Sequence, residues 1–164
     1  MKRIFILIFL VGFLPWIETL KSQELIVRDE INSINSLLKA NPYRDTFLEI
    51  TFYYSIDITS EKELVVKMDF DGPFKTIVKA KILDLNRTLQ IDTALEGTGS
   101  ICWYCNSAGI ASETNCVYNE SITALGEKES HYTDNICVMI SRQSEIRNKL
   151  IKEFDKLFQL VLEQ

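Results

Sequence analysis

The cysteines are the residues of this 164-residue chain whose types and spacing could do chemistry. Three of the four lie in one short stretch, CWYCNSAGIASETNC, which begins at Cys102 and ends at Cys116, and the fourth is Cys137. Such a set can act as a redox dithiol, as thiolate ligands of zinc, or as structural disulfides. The sequence around the cysteines decides among these three chemistries.

Cys102 and Cys105 have the Cys-x-x-Cys spacing of thiol-disulfide oxidoreductases, in which a following helix makes the first thiol acidic. The sequence after Cys105, NSAGIASETN, has no helical apolar stripe, and the pair lacks the proline usual inside that motif. A zinc site needs four ligands in tetrahedral array, whereas these spacings supply a single knuckle-like pair. We therefore predict no metal and no cofactor, and keep oxidoreductase activity at Cys102 and Cys105 as the alternative function.

Structural disulfides are the main prediction, because an even number of cysteines in an exported chain is typical of disulfide bonding. In a regular strand, Cys102 and Cys105 would lie about 10 Å apart and point to opposite faces, beyond the reach of a disulfide. Of the three pairings that four cysteines allow, we favour Cys102 with Cys137 and Cys105 with Cys116. The second bridge would close a long cysteine-bearing loop, at about residues 97–131.

The N-terminus has the pattern of an export signal, with two basic residues followed by an apolar run from Ile4 to Leu14. A membrane span needs about 20 apolar residues, and Pro15 interrupts this run earlier. We predict a signal peptide over residues 1–22, cut after Ser22, and a single domain over residues 23–164. The remaining chain should be exported, periplasmic or secreted, without a stable membrane span.

The charge balance excludes one class of partner. The chain carries 23 acidic and 18 basic residues, a formal charge of −5, and loss of residues 1–22 makes it more acidic. Because nucleic-acid binding needs a basic face, we predict no nucleic-acid partner. The single histidine, His131, has no nucleophile motif near it in the sequence, so we also predict that the protein is not an enzyme.

The apolar periodicity predicts a helix at each end of the chain with antiparallel strands between them. The first helix, over residues 24–40, has its apolar stripe at Val27, Ile31, Ile34 and Leu38 and ends at Asn41-Pro42. The predicted strands cover residues 46–58, 63–70, 74–83, 89–93, 100–105, 117–125 and 136–140. The fold class is therefore α+β, with one antiparallel, strongly bent sheet of five to seven strands that approaches a barrel.

The C-terminal segment RQSEIRNKLIKEFDKLFQLVLEQ has apolar residues over about 200° of a helical wheel, more than one contact face needs. One side of this helix should pack on the sheet. The other side should meet the N-terminal helix or a second copy of the protein. A homodimer through the C-terminal helix is thus one predicted partnership.

Aromatic residues at the start of the sheet and in the cysteine stretch are the predicted binding residues: Tyr43, Phe47, Tyr53 and Trp103. They form a ligand platform if their face is exposed, and core if a helix covers it. Asn86 and Asn119 begin glycosylation sequons, which have meaning only in a eukaryotic secretory pathway.

The segment IVKAKILDLNRTLQI, followed by ICVMI and SEIRNKLIKEFDKLFQLV, resembles uncharacterised small exported proteins of Bacteroidetes-type bacteria. The resemblance covers about residues 47–162. The strand meander with its C-terminal helix is also similar to pleckstrin-homology-type barrels. The resemblance is one of pattern without a diagnostic motif, so no functional residue is carried over. The N-terminal helix and the cysteine-bearing insertion depart from the pleckstrin pattern and leave phosphoinositide binding unsupported.

Together these observations predict a non-enzymatic, exported binding or interaction module that disulfides stabilise. Its partner is an unknown protein or small-molecule ligand.

Overall fold

The computed structural model describes residues 22–70, 75–86, 90–92, 99–106, 115–123, 125–140 and 144–163. The predicted signal peptide, except for Ser22, lies outside the described residues. Helix α1 occupies residues 22–40, and helix α2 occupies Ser144–Leu162. In the part of the chain that the structure describes, neither helix has the length and apolarity needed to cross a membrane.

The described residues between the helices form antiparallel strands and a short 3-10 helix at Ile82–Asp84. The strands are β1 (Tyr43–Asp45), β2 (Ile50–Ile58), β3 (Glu63–Phe70), β4 (Lys75–Lys81), β5 (Gln90–Asp92), β6 (Gly99–Tyr104), β7 (Val117–Ile122), β8 (Lys128–Thr133) and β9 (Asn135–Ile140). They confirm the α+β class, with a helix at each end of the described chain.

The strands belong to two sheets. The larger has six strands in the order β1-β2-β3-β4-β7-β8, within the predicted range of five to seven. The smaller sheet has the order β5-β6-β9, whereas the sequence predicted a single sheet that contains all the strands. In the described residues the larger sheet ends at β1 and β8, so it does not close into a barrel. Strands β6, β7 and the start of β8 lie in the region predicted as a cysteine-bearing loop.

The strand predicted over residues 46–58 begins later, because a tight turn precedes it. The carboxylate Oδ1 of Asp45 accepts the backbone N–H groups of Phe47 and Leu48, at 2.8 and 2.9 Å. Glu49 has a left-handed backbone with φ of 56°. These local bonds make a turn between β1 and β2, although the alternating sequence favours a continuous strand.

The core lies where the apolar face of the larger sheet, the smaller sheet and both helices meet. Trp103 of β6 is fully buried there and packs on Phe154 and Phe158 of α2, with ring centroids 4.7 and 5.6 Å apart. The α2 residues that are buried in the same cluster are Leu150, Phe154, Leu157, Phe158 and Val161. The wide apolar face of α2 is thus used largely within the chain.

Candidate functional site

The four cysteines form two disulfides, and the favoured pairing is confirmed. Cys102 and Cys137 lie directly opposite each other on β6 and β9, with their Cα atoms 4.2 Å apart. Cys105 and Cys116 are joined with a Cα separation of 5.8 Å. No cysteine is left free. Each bridge therefore ties together two segments that are distant in sequence.

This pairing bears on the redox alternative. An oxidoreductase of the Cys-x-x-Cys type alternates between a dithiol and a bridge within the motif. Here Cys102 and Cys105 are bonded to other cysteines, and Cys102 is only 2% exposed. Cys102 lies in β6, Cys105 follows directly after its end, and Trp103 between them is fully buried, so the described geometry fits disulfide stabilisation.

The predicted binding aromatics separate into two groups. Tyr43 and Trp103 are buried in the core, with Tyr43 packed against Phe52. Phe47 is 92% exposed at the β1–β2 turn, and Tyr53 is 43% exposed on β2. Only Phe47 and Tyr53 present surface to a ligand in this structure, and their role in binding stays a prediction.

A cleft of about 430 Å³ lies between α1 and the C-terminal end of β2. Its apolar lining comes from both elements: Val27, Ile31, Ile56 and Ile58. Charged and amide side chains surround this lining, among them Arg28 and Asn32 of α1 and Asp57 of β2. The lining is thus about as polar as it is apolar, and the volume of the cleft is in the usual range of ligand sites.

The cleft exists because β1 is much shorter than β2. Their pairing runs only from Asp45–Ile50 to Tyr43–Phe52. In an antiparallel ladder, backbone groups point alternately to the two sides of a strand. Beyond Phe52, the groups on the outer side of β2 therefore face α1 rather than a neighbouring strand in the described part of the sheet.

Asn35 of α1 takes the place of a neighbouring strand at Ile56 of β2. Its Nδ2 donates to the carbonyl of Ile56 at 3.0 Å, and its Oδ1 accepts the Ile56 N–H at 2.7 Å. The carboxamide thus reproduces the two bonds of a strand neighbour. About one and two helical turns further toward the N-terminus, Asn32 and Arg28 line open space instead, so Asn35 closes one end of the cleft.

A second polar cluster fixes α1 against α2. Glu30 of α1 is only 4% exposed, and its Oε2 binds the ammonium group of Lys156 on α2. Burial alone would raise the pKa of Glu30, but hydrogen bonds from Glu153 and Lys156, together with the charge of Lys156, hold that pKa below its ordinary value. Glu30 is therefore the ionised member of a carboxyl pair in which Glu30 is buried and Glu153 is half-buried.

Glu153 is the proton-holding member of this pair. Its hydrogen bond to Glu30 raises its pKa, and burial and the negative charge of Glu30 act in the same direction. While Glu153 is ionised, the buried Oε1 of Glu30 has no donor among the described residues. We interpret the cluster as a connection between the helices, since it does not line the cleft.

The remaining predicted residues do not assemble into a site. His131 is exposed on β8, opposite Asn119 of β7. Asn86 is exposed, whereas the carboxamide oxygen of Asn119 is buried. Among the described residues there is no group of three or more histidine, cysteine or acidic side chains placed to hold a metal.

Comparison with known proteins adds no relative: no family model, no curated protein and no solved structure matches this chain. The resemblance to exported Bacteroidetes-type proteins stays a prediction. The function is therefore argued from the geometry of the cleft.

Proposed function

We propose that this protein is a non-enzymatic, exported binding module, and that its ligand is an extended polypeptide segment held in the cleft between α1 and β2. The supporting observation is the edge of β2 in that cleft, with which no described strand pairs beyond Phe52. Asn35 caps this edge at Ile56, and the Ile58 N–H donates to the exposed carboxylate of its neighbour Asp57 at 2.9 Å, a bond that an added strand can replace. An added strand is a common way for a sheet edge to bind a peptide.

The surroundings of the edge fit such a ligand. Val27, Ile31 and Ile58 offer an apolar contact for an alternate side chain of the peptide. The margin carries one basic residue, Arg28, and two acidic residues, Glu24 and Asp57, so the cleft suits a chain of mixed charge rather than a polyanion.

The two disulfides support the role by fixing the frame. The bridge between Cys102 and Cys137 joins β6 to β9, and the hydroxyl of Tyr54 on β2 is hydrogen-bonded to the backbone of Met139 on β9. The strand that borders the cleft is thereby tied to a cross-linked sheet. A frame of this kind lowers the entropy lost when a ligand is bound.

Selection of peptides from a random display library, with the chain from residue 23 onward as target, tests the proposal. Selected peptides should bind the parent chain and lose at least about tenfold in affinity to an Asn32→Trp variant, because an indole at that position fills the cleft. Ser33→Trp is the matched control, since the neighbouring exposed residue does not line the cleft.

Equal affinity for the parent, Asn32→Trp and Ser33→Trp chains would contradict the proposed site. Selected peptides that bind neither the Asn32→Trp chain nor the Ser33→Trp chain would also contradict it, because the loss of affinity would then come from a change to α1 as a whole. A small amphipathic molecule that competes with the peptides only in the parent and Ser33→Trp chains would retain the site and change the ligand class.

A further inference from the structure

The opposite edge of the larger sheet is formed by β8, whose residues Lys128 to Tyr132 are all exposed. Exposed residues on both faces mean that nothing described packs over or under this strand. Within the described residues, no strand lies beyond it in the sheet order. An edge of this kind is a template for pairing with another strand.

The hairpin of β7 and β8 determines which backbone groups are available. At its turn, Thr123 N–H donates to the carbonyl of Glu127 at 2.9 Å. Because backbone groups alternate along an antiparallel ladder, Glu129 and His131 bond to β7. Lys128, Ser130 and Tyr132 consequently direct their N–H and C=O groups away from the sheet.

We propose that a second copy of this chain binds here, with the two β8 strands antiparallel about a two-fold axis at Ser130. This register pairs Ser130 with the partner's Ser130, and it uses all three outward-facing residues. It also places Glu129 opposite the partner's His131, so that a carboxylate meets an imidazole that can donate to it. On the other face Lys128 lies opposite the partner's Tyr132, but within each chain Lys128 already binds Glu120 and Tyr132 packs on Tyr118, so the choice of register rests on the Glu129–His131 pairs.

The charges select this register over its neighbours. Sliding one strand by two residues in one direction places Glu129 opposite the partner's Glu129, which is unfavourable. Sliding it by two in the other direction places His131 opposite the partner's His131. Only the register centred on Ser130 places an unlike side chain opposite both Glu129 and His131. Two-fold symmetry then forms the Glu129–His131 pair twice. The proposal is independent of the cleft, which lies at the other side of the larger sheet.

Sedimentation equilibrium of the chain from residue 23 onward, at concentrations up to about 1 mM, measures the association directly. We expect a dimer that weakens about tenfold in Glu129→Lys, since both symmetric pairs are lost together. The double variant Glu129→Lys with His131→Glu should restore the affinity, because it exchanges the charges across the axis. Glu61→Lys, in the exposed β2–β3 turn, is the control with the same change of charge.

A cross-linking experiment tests the register separately. In a hydrogen-bonded antiparallel pair the Cα atoms lie about 5.5 Å apart, within disulfide range, so Ser130→Cys should form a covalent dimer on oxidation. Lys128→Cys is the matched control on the same strand, because its copies would lie more than about 13 Å apart in this register.

A monomer at every concentration would overturn the proposal. A dimer that is indifferent to Glu129→Lys, or one that Lys128→Cys cross-links as well as Ser130→Cys, would overturn the pairing at β8. Association that is lost in Glu129→Lys and restored in the double variant would support it.

Discussion

Removal of each disulfide in turn should destabilise the protein by a different amount. The two variants are Cys102→Ala with Cys137→Ala, and Cys105→Ala with Cys116→Ala. The bridges close segments of 35 and 11 residues along the chain. Loop-closure entropy of the unfolded chain then gives losses in the free energy of unfolding of about 3.8 and 2.8 kcal/mol.

The nesting of the bridges reduces this difference but does not reverse it. The Cys105–Cys116 bridge lies inside the longer loop, so the longer loop keeps about 24 residues of free chain and its advantage falls below about 1 kcal/mol. Burial increases the cost of losing the Cys102–Cys137 bridge, because Cys102 is 2% exposed and its truncation also removes packing in the interior. The Cys102–Cys137 variant should therefore be the less stable of the two.

Urea unfolding at equilibrium measures both losses, with the fluorescence of Trp103 as a common reporter because the other tryptophan lies in residues 1–22. Reduction of the unaltered chain should lower the free energy of unfolding by more than either variant does. The reasoning is refuted if either variant is as stable as the parent, or if loss of the shorter bridge costs clearly more.

Two further predictions concern the contacts that α1 makes with β2 and α2. Asn35→Ala removes the partners of the Ile56 N–H and C=O groups and should cost about 1 to 3 kcal/mol in urea unfolding, so an unchanged midpoint would contradict the bonding described at the edge of β2. Glu153→Gln keeps a donor for Glu30 but cannot ionise. Because the pKa of Glu153 is raised in the folded chain, Glu153 contributes stability at pH values below its ordinary pKa of 4.5. This stability is lost as the pH rises through the raised pKa. The free energy of unfolding of the Gln variant should therefore match that of the parent below pH 4.5 and exceed it by under about 1 kcal/mol near pH 8. The same difference between parent and variant at both pH values would contradict a proton shared by Glu30 and Glu153.

Much of the framework could be predicted because it depends on local sequence. The strand predicted at residues 63–70 has the observed bounds of β3, since its apolar residues alternate without a turn signal. The disulfide pairing could be predicted from the pleat of one strand: Cys102 and Cys105 cannot bridge each other there, and Cys102 faces Cys137 in the register.

Other features depend on contacts that are distant in sequence. Strand β8, with the sequence KESHYT, is polar on both faces and therefore has no alternating pattern to predict it. Asn35 and Glu30 lie among the polar residues of α1, and nothing in that helix distinguishes them from solvated neighbours. Their roles become visible only when β2 and α2 supply Ile56 and Lys156 as partners.

Amide hydrogen exchange of the chain, with and without a peptide from the display selection, measures whether the ligand adds to the edge of β2 in the cleft under α1. Slower exchange is expected in the complex at Ile58, whose N–H is bonded to the exposed side chain of Asp57 in the free chain. Ile56, whose N–H is already accepted by Asn35, and Val66 of β3, which is inside the sheet, should be unchanged. Protection that falls instead on the β8 edge, with Ile58 unaffected, would contradict binding in the cleft.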